Sequence, residues 1–236
     1  MREFLKKKFE QLTGSKLYRN SLPRGTCIIH DIKRLSHAPI KEVWDVGAHH
    51  GETAFFFSER LPQSIIRSFE PVSSNYYLLI HNCRKLENFH AHNFALGEEN
   101  KTTKIFLQSA SVIHSLRDDL NKPSLEDSKS ECIEVKTIDC VLNDFKTPSI
   151  DLLKIDVEGY EIQVLEGARK SLAGKKINFI YLETGLDDRF NSIQSIIDAL
   201  APNGYLPYAF YEQTAHWTGK QNLWYWNTLF VQEELL

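Results

Sequence analysis

The sequence predicts an α/β protein, a mainly parallel sheet with helices on both faces and an antiparallel hairpin at the C-terminal end. Three observations carry this expectation. From residue 42 onward, short β-type runs alternate with helical segments, the pattern of crossover units that build parallel sheets. The first such run, 43–46, leads through a glycine-bearing bend straight into a helix, as the leading strand of a nucleotide-binding sheet does. The last two runs, 205–211 and 223–231, have no helix between them, so they should pair antiparallel.

In chain order, residues 1–24 carry seven basic side chains, including Lys6, Lys7 and Lys8, against Glu3 and Glu10, with Phe4, Leu5, Phe9 and Leu12 at near-helical spacing. This predicts a helix, and we read 1–40 as a helical appendage to a domain over 41–236. We expect the helix to pack on the domain with its lysines in solvent; peripheral contact with a membrane surface or a partner is the other outcome. Strand 43–46, helix 52–61, strand 65–69 and helix 73–87 follow, then strands at 90–94, 103–107 and 133–136. Strand 150–155 precedes a helix over 161–172, in which Ile162, Leu165, Ala168 and Leu172 share a face and Glu161, Gln163, Glu166 and Arg169 turn toward water. Strand 178–182 and helix 189–200 come next, the helix stopped by Pro202-Asn203-Gly204. Residues 109–130, rich in Ser, Asp and Lys, are the candidate lid.

Composition narrows the function. The 236 residues are 42% hydrophobic and 25% charged, the values of an ordinary folded domain. With 28 Lys and Arg against 31 Asp and Glu, the net charge is −3, so we expect no nucleic-acid partner. No apolar run approaches the roughly 18 residues that span a bilayer, and no signal peptide is legible, so the expected location is cytoplasmic. Cys27, Cys83, Cys132 and Cys140 form no C-x-x-C pair and have no histidine at zinc-ligand spacing. They are expected to be buried free thiols, and no metal is assigned.

The chemistry concentrates after the first strand, in Asp45-Val46-Gly47-Ala48-His49-His50-Gly51. Glycines there let a ligand approach the main chain, and the helix start offers free amide donors. Glu70 ends the next strand, 25 positions after Asp45, where a carboxylate accepts hydrogen bonds from both hydroxyls of a ribose. The dinucleotide fingerprint placed on Gly47 requires glycine where the chain has His49 and Glu52, which disfavours a nicotinamide-dependent oxidoreductase. An acidic residue followed by glycine two, four and six positions later fits Asp45, Gly47 and Gly51, with His49 at the middle position.

That second pattern resembles the first motif of class I S-adenosylmethionine-dependent methyltransferases. Together with Asn93-Phe94-Ala95-Leu96-Gly97, Val135-Lys136-Thr137-Ile138-Asp139 and Leu153-Lys154-Ile155-Asp156-Val157-Glu158-Gly159-Tyr160-Glu161, the chain resembles the FkbM methyltransferases from about Val43 to Glu183. The resemblance implies a Rossmann-like class I fold, S-adenosylmethionine as cofactor and O-methylation of a hydroxyl on a glycan, a sugar or a secondary metabolite. Asp45, Gly47, Gly51 and Glu70 would hold the methionine part and the ribose, with Asn93 near the adenine. His49 stands where similar sequences usually carry Asn, and is read as a cofactor-side residue that replaces the amide or caps the following helix.

Methyl transfer to a hydroxyl needs the acceptor oriented and its proton removed. The strands ending at Asp156 and Glu183 should be neighbours, which brings both carboxylates, and Glu158, to one place. His114, in the candidate lid, is the other candidate base, since imidazole titrates near neutral pH. The alternatives are an oxidoreductase and a non-catalytic scaffold whose basic helix recruits a partner. Oligomeric state and the identity of the acceptor are not legible in the sequence.

Overall fold

A computed structural model describes residues 2–16, 18, 22–107, 129–186, 192–215 and 223–236. Its elements are α1 (Arg2–Thr13), α2 (Ile28–Leu35), β1 (Glu42–Val46), α3 (Glu52–Arg60), β2 (Ile65–Phe69), α4 (Ser73–Cys83), β3 (Phe89–His92), β4 (Ala95–Leu96), β5 (Lys101–Leu107), β6 (Lys129–Lys136) and α5 (Ile138–Asp144). They continue with β7 (Ile150–Ile155), α6 (Glu161–Glu166), α7 (Arg169–Ala173), β8 (Ile177–Gly185), α8 (Ile193–Leu200), β9 (Tyr205–Ala215) and β10 (Leu223–Gln232).

Seven strands form the main sheet in the order β3-β2-β1-β7-β8-β10-β9. The first five are parallel, and β10 enters antiparallel between β8 and β9. The expected C-terminal hairpin is therefore present, with its second strand inserted inward. The order reverses at β1, so the carboxyl ends of β1, β2 and β7 flank the switch point where ligands of such sheets bind.

Period-two alternation along β1 feeds two cores. Val43 joins Ile66, Leu152, Phe179 and Leu229 beneath α2, α3 and α4. Trp44 and Val46 join Phe69, Leu153, Ile155 and Ile180 beneath α5 to α8. Burial on both faces explains why apolar residues fall on both sides of β1, β7 and β8.

The structure departs from the sequence reading in five places. Helix α2 was not expected; Ile28, Ile29 and Ile32 enter the core under the sheet. Helix α1, expected to pack on the domain, leaves Phe4, Leu5, Phe9 and Leu12 all exposed among the described residues. The helix expected over 161–172 is two helices, because the Asp139 carboxylate accepts the amides of Lys170 and Ser171 and so starts α7 afresh. A Cβ on Gly167, at the break, would lie 2.0 Å from the Gly97 carbonyl oxygen, which fixes how closely this corner packs. Residues 95–107 and 129–136 carry a second, three-stranded sheet, β4-β6-β5, whose Ile105, Ile133 and Val135 pack on Val72. Finally, the four cysteines are free as expected, but Cys83 is buried while Cys132 is exposed. The candidate lid lies largely outside the described residues, and His114 with it.

Candidate active site

The site starts from Lys154, a buried charge near the carboxyl end of β7 beside Leu152, Leu153 and Ile155. Parallel pairing puts Asp45 of β1 level with Lys154 of β7 on one side and with Ser68 of β2 on the other. The Lys154 ammonium is 3.0 Å from Asp45 Oδ1, 3.5 Å from Asp156 Oδ2, and donates to the Gly47 carbonyl at 3.3 Å. Burial opposes its charge, yet the carboxylates of Asp45 and Asp156 hold it above the ordinary lysine range. The Ser68 hydroxyl donates to the other Asp45 oxygen at 3.3 Å. Asp45 is wholly buried and does not reach the cleft beside it; it anchors Lys154, which does line that cleft.

Above this pair the chain turns through Gly47. Its φ is +77°, and a Cβ there would stand 1.8 Å from the Asp156 carbonyl oxygen, so only glycine lets the β1 loop lie against the end of β7. The amides of Gly47 and Ala48 donate to the Phe69 carbonyl, and the Asp156 amide donates to Val46. Gly51 lies behind the loop, packed on Cys83 and Leu79, and does not line the cleft. His49, also at positive φ, does line it.

Glu70, just past β2, closes the loop from the far side. Its Oε2 accepts the His49 amide and its Oε1 the Val72 amide, both at 3.0 Å. Burial pushes its pKa up to about 7, against the pull of these hydrogen bonds. Asn93 does not line the cleft; its carboxamide donates to the Glu70 and Pro71 carbonyls at 3.0 Å each and holds the turn after β2.

The cleft has a volume of about 300 Å³. Val72, Leu96 and Ile105 give it an apolar wall, and Glu70, Lys154, Asp156 and Glu158 its charged side. Glu158 sits at φ +53° in the bend after β7, next to Gly159 at φ +92°. Burial, then the charges of Asp156 and Glu161, push Glu158 up to about 7. Glu183, on neighbouring β8, does not line the cleft, but burial and the charges of Asp156, Glu158 and Glu161 push it up to about 9. The neighbouring strand ends thus do bring Asp156, Glu158 and Glu183 into one electrostatic group. Glu161, expected in water, is buried and accepts the amides of Val157 and Gly159 at 3.1 and 3.3 Å, which shapes the Glu158 bend.

Lys154, Glu161 and the apolar wall were missed as site features. The signal for Lys154 was available, since a lysine flanked by Leu152, Leu153 and Ile155 stays buried only if paired. Among the described residues, one group brings metal-type donors together: His49, His50 and Glu52, within 4.8 Å of one another. The two imidazoles stack at 3.6 Å, and His49 and Glu52 line the cleft itself.

The methyltransferase FkbM domain profile matches residues 45–207. The crystal structure of methyltransferase FkbM from Methylobacillus flagellatus KT superposes with a TM-score of 0.58 at 17% identity, covering 89% of this chain and 48% of that one. The chain thus spans about half the length of that relative. A precorrin-6y C5,15-methyltransferase from Geobacter metallireducens GS-15 gives a TM-score of 0.46 at 10% identity, covering 86% of this chain and 87% of that one. Fibrillarin from Aeropyrum pernix, solved with S-adenosyl-L-methionine, gives 0.45 at 12% identity, covering 85% and 72%. No curated protein sequence matches the chain.

Proposed function

The chain belongs to the FkbM methyltransferase domain family, and on that premise we propose that it is an S-adenosylmethionine-dependent O-methyltransferase acting on a hydroxyl of a glycan or a secondary metabolite. The residues present fit the cofactor. The Glu70 carboxylate takes the amides of His49 and Val72 and the Asn75 side chain and keeps acceptor capacity for a ribose hydroxyl. Val72, Leu96 and Ile105 offer an apolar face to a purine. Asp156 and Glu158, in excess over Lys154, suit a ligand that carries a sulfonium and an ammonium. When bound, that cofactor supplies an electrophilic methyl group. Asp45 enters this reading as the support of Lys154, Gly47 as the close approach of the loop, and His49 as a wall residue.

The observation that carries the O-methyl reading is Glu158: a cleft carboxylate whose pKa burial and Asp156 push to about 7. A general base works best when it titrates near the working pH. Glu158 would take the acceptor hydroxyl proton on a carboxylate oxygen as the methyl–oxygen bond forms and the methyl–sulfur bond breaks, its electron pair staying on a neutral thioether sulfur, and Asp156 keeps the Glu158 oxygen basic. Glu183 holds its proton through the step and limits the negative charge of the group. A positive ligand in the cleft shifts Glu158 toward its ionised form beforehand.

The test is product analysis with labelled methyl donor and a panel of hydroxyl-bearing glycans and metabolites. The expected product is a methyl ether; label on nitrogen or carbon overturns the reading. Glu158→Gln should lower kcat by about 100-fold or more and abolish the acidic limb of the pH–rate profile.

A further inference from the structure

Helix α1 leaves its apolar side chains uncovered by the described residues. Leu5, Phe9 and Leu12 recur at i, i+4 and i+7, one face of a helix, and Phe4 lies at its edge. Their exposures are 58, 46 and 79%, with 68% for Phe4. Lys6, Lys7 and Lys8 are exposed beside them. A 12-residue helix is marginal in water unless its apolar face is covered, and among the described residues that face stays exposed.

Charge says what does. Residues 1–24 hold seven basic and two acidic side chains, which leaves 21 basic against 29 acidic for all the rest. The positive charge is concentrated on the segment that exposes aromatic and aliphatic side chains, and the remainder of the molecule has the opposite sign. We propose that α1 is a surface anchor that lies in the headgroup region of an anionic bilayer, with Leu5, Phe9 and Leu12 toward the acyl chains and its lysines toward acidic headgroups. Such a helix follows interfacial physics: apolar burial gives the hold, and lysines near the surface add about fivefold each. Among the described residues no helix is long and apolar enough to cross the membrane. The contact is therefore peripheral and reversible, and it points the acidic remainder of the molecule away from the lipid.

Flotation of the full chain with vesicles tests this. Vesicles of phosphatidylcholine mixed with phosphatidylglycerol should bind at least about tenfold more tightly than phosphatidylcholine alone, and the difference should shrink as salt is raised. Leu5→Glu with Phe9→Glu should remove binding to both. Lys6→Gln with Lys7→Gln and Lys8→Gln should remove the preference for the anionic lipid. Thermal unfolding of each variant should match the parent, because these side chains are exposed. Equal association with the two vesicle types, or none with either, overturns the proposal. So does a concentration-dependent dimer that Leu5→Glu with Phe9→Glu dissolves in the absence of lipid, since a second copy would then be the occupant.

Discussion

The two ends of the site use one residue type in opposite ways. Glu70 stands just past β2 and Glu183 stands on β8, both as partly or wholly buried carboxyls near the carboxyl edge of one sheet. At Glu70, burial is met by backbone amides that a fixed loop aims at each oxygen. At Glu183, burial is compounded by the like charges of Asp156, Glu158 and Glu161. The first pKa settles near 7 and the second near 9. A carboxylate given amides stays an acceptor ready for hydroxyl groups; one given other carboxylates keeps its proton until a cation enters. Lys154 joins the two ends, because it touches Asp45 below the first and Asp156 at the second.

The largest effect should come from cutting that link. Lys154→Met leaves Asp45 buried without its cation, and removing one partner of a buried pair typically costs about 3–5 kcal/mol. Denaturant unfolding should register that loss, and adding Asp45→Asn should recover a substantial part of it. If Lys154→Met alone unfolds at the parent midpoint, the ion pair does not tie the two ends together. Gly47→Ala should rank close behind, since its Cβ would meet the Asp156 carbonyl at 1.8 Å and its φ disfavours any side chain.

How much of this was legible depends on range. The β1 bend, Glu70 and the neighbouring ends of β7 and β8 follow from local pattern and sheet order, and the sequence reading located them. The sequence reading put Asp45 in the first strand and Gly51 in the bend after it, but not their partners: burial turns Asp45 to Lys154 and packs Gly51 on Cys83, a consequence of packing from β7 and α4. Glu161 looked like a solvent-facing helix residue because periodicity describes the helix and not the bend before it, whose amides claimed the side chain. The β4-β6-β5 sheet was illegible for a similar reason. It pairs β4 with a strand some forty residues away, a contact that no local window contains.

A medium effect should appear in pH dependence and sharpen the contrast between the two ends. In the unfolded chain Glu183 titrates near 4.5, in the fold near 9. Between those values the folded state binds more protons, so stability falls as pH rises across that window. The loss should be on the order of a few kcal/mol, shared with Glu158, which contributes below about 7. Glu183→Gln should flatten the alkaline part of the curve measured by chemical unfolding at successive pH values. A parent whose stability climbs from acid to alkaline pH would show that the carboxylates do not repel one another as described.

The smallest effect separates support from contact at the Glu70 end. Asn93 touches the carbonyls of Glu70 and Pro71 rather than the cleft. Asn93→Ala should therefore cost about 1 kcal/mol of stability and change cofactor affinity by less than about threefold, because the Glu70 carboxylate keeps its amides from His49 and Val72. Glu70→Ala, by contrast, should weaken the cofactor more than tenfold in calorimetry while leaving the circular dichroism spectrum intact. The reverse result at Asn93, a large loss of affinity with unchanged stability, would put the carboxamide in direct contact with the adenine, where the family resemblance first assigned it. The turn after β2 would then be part of the binding surface and not its frame.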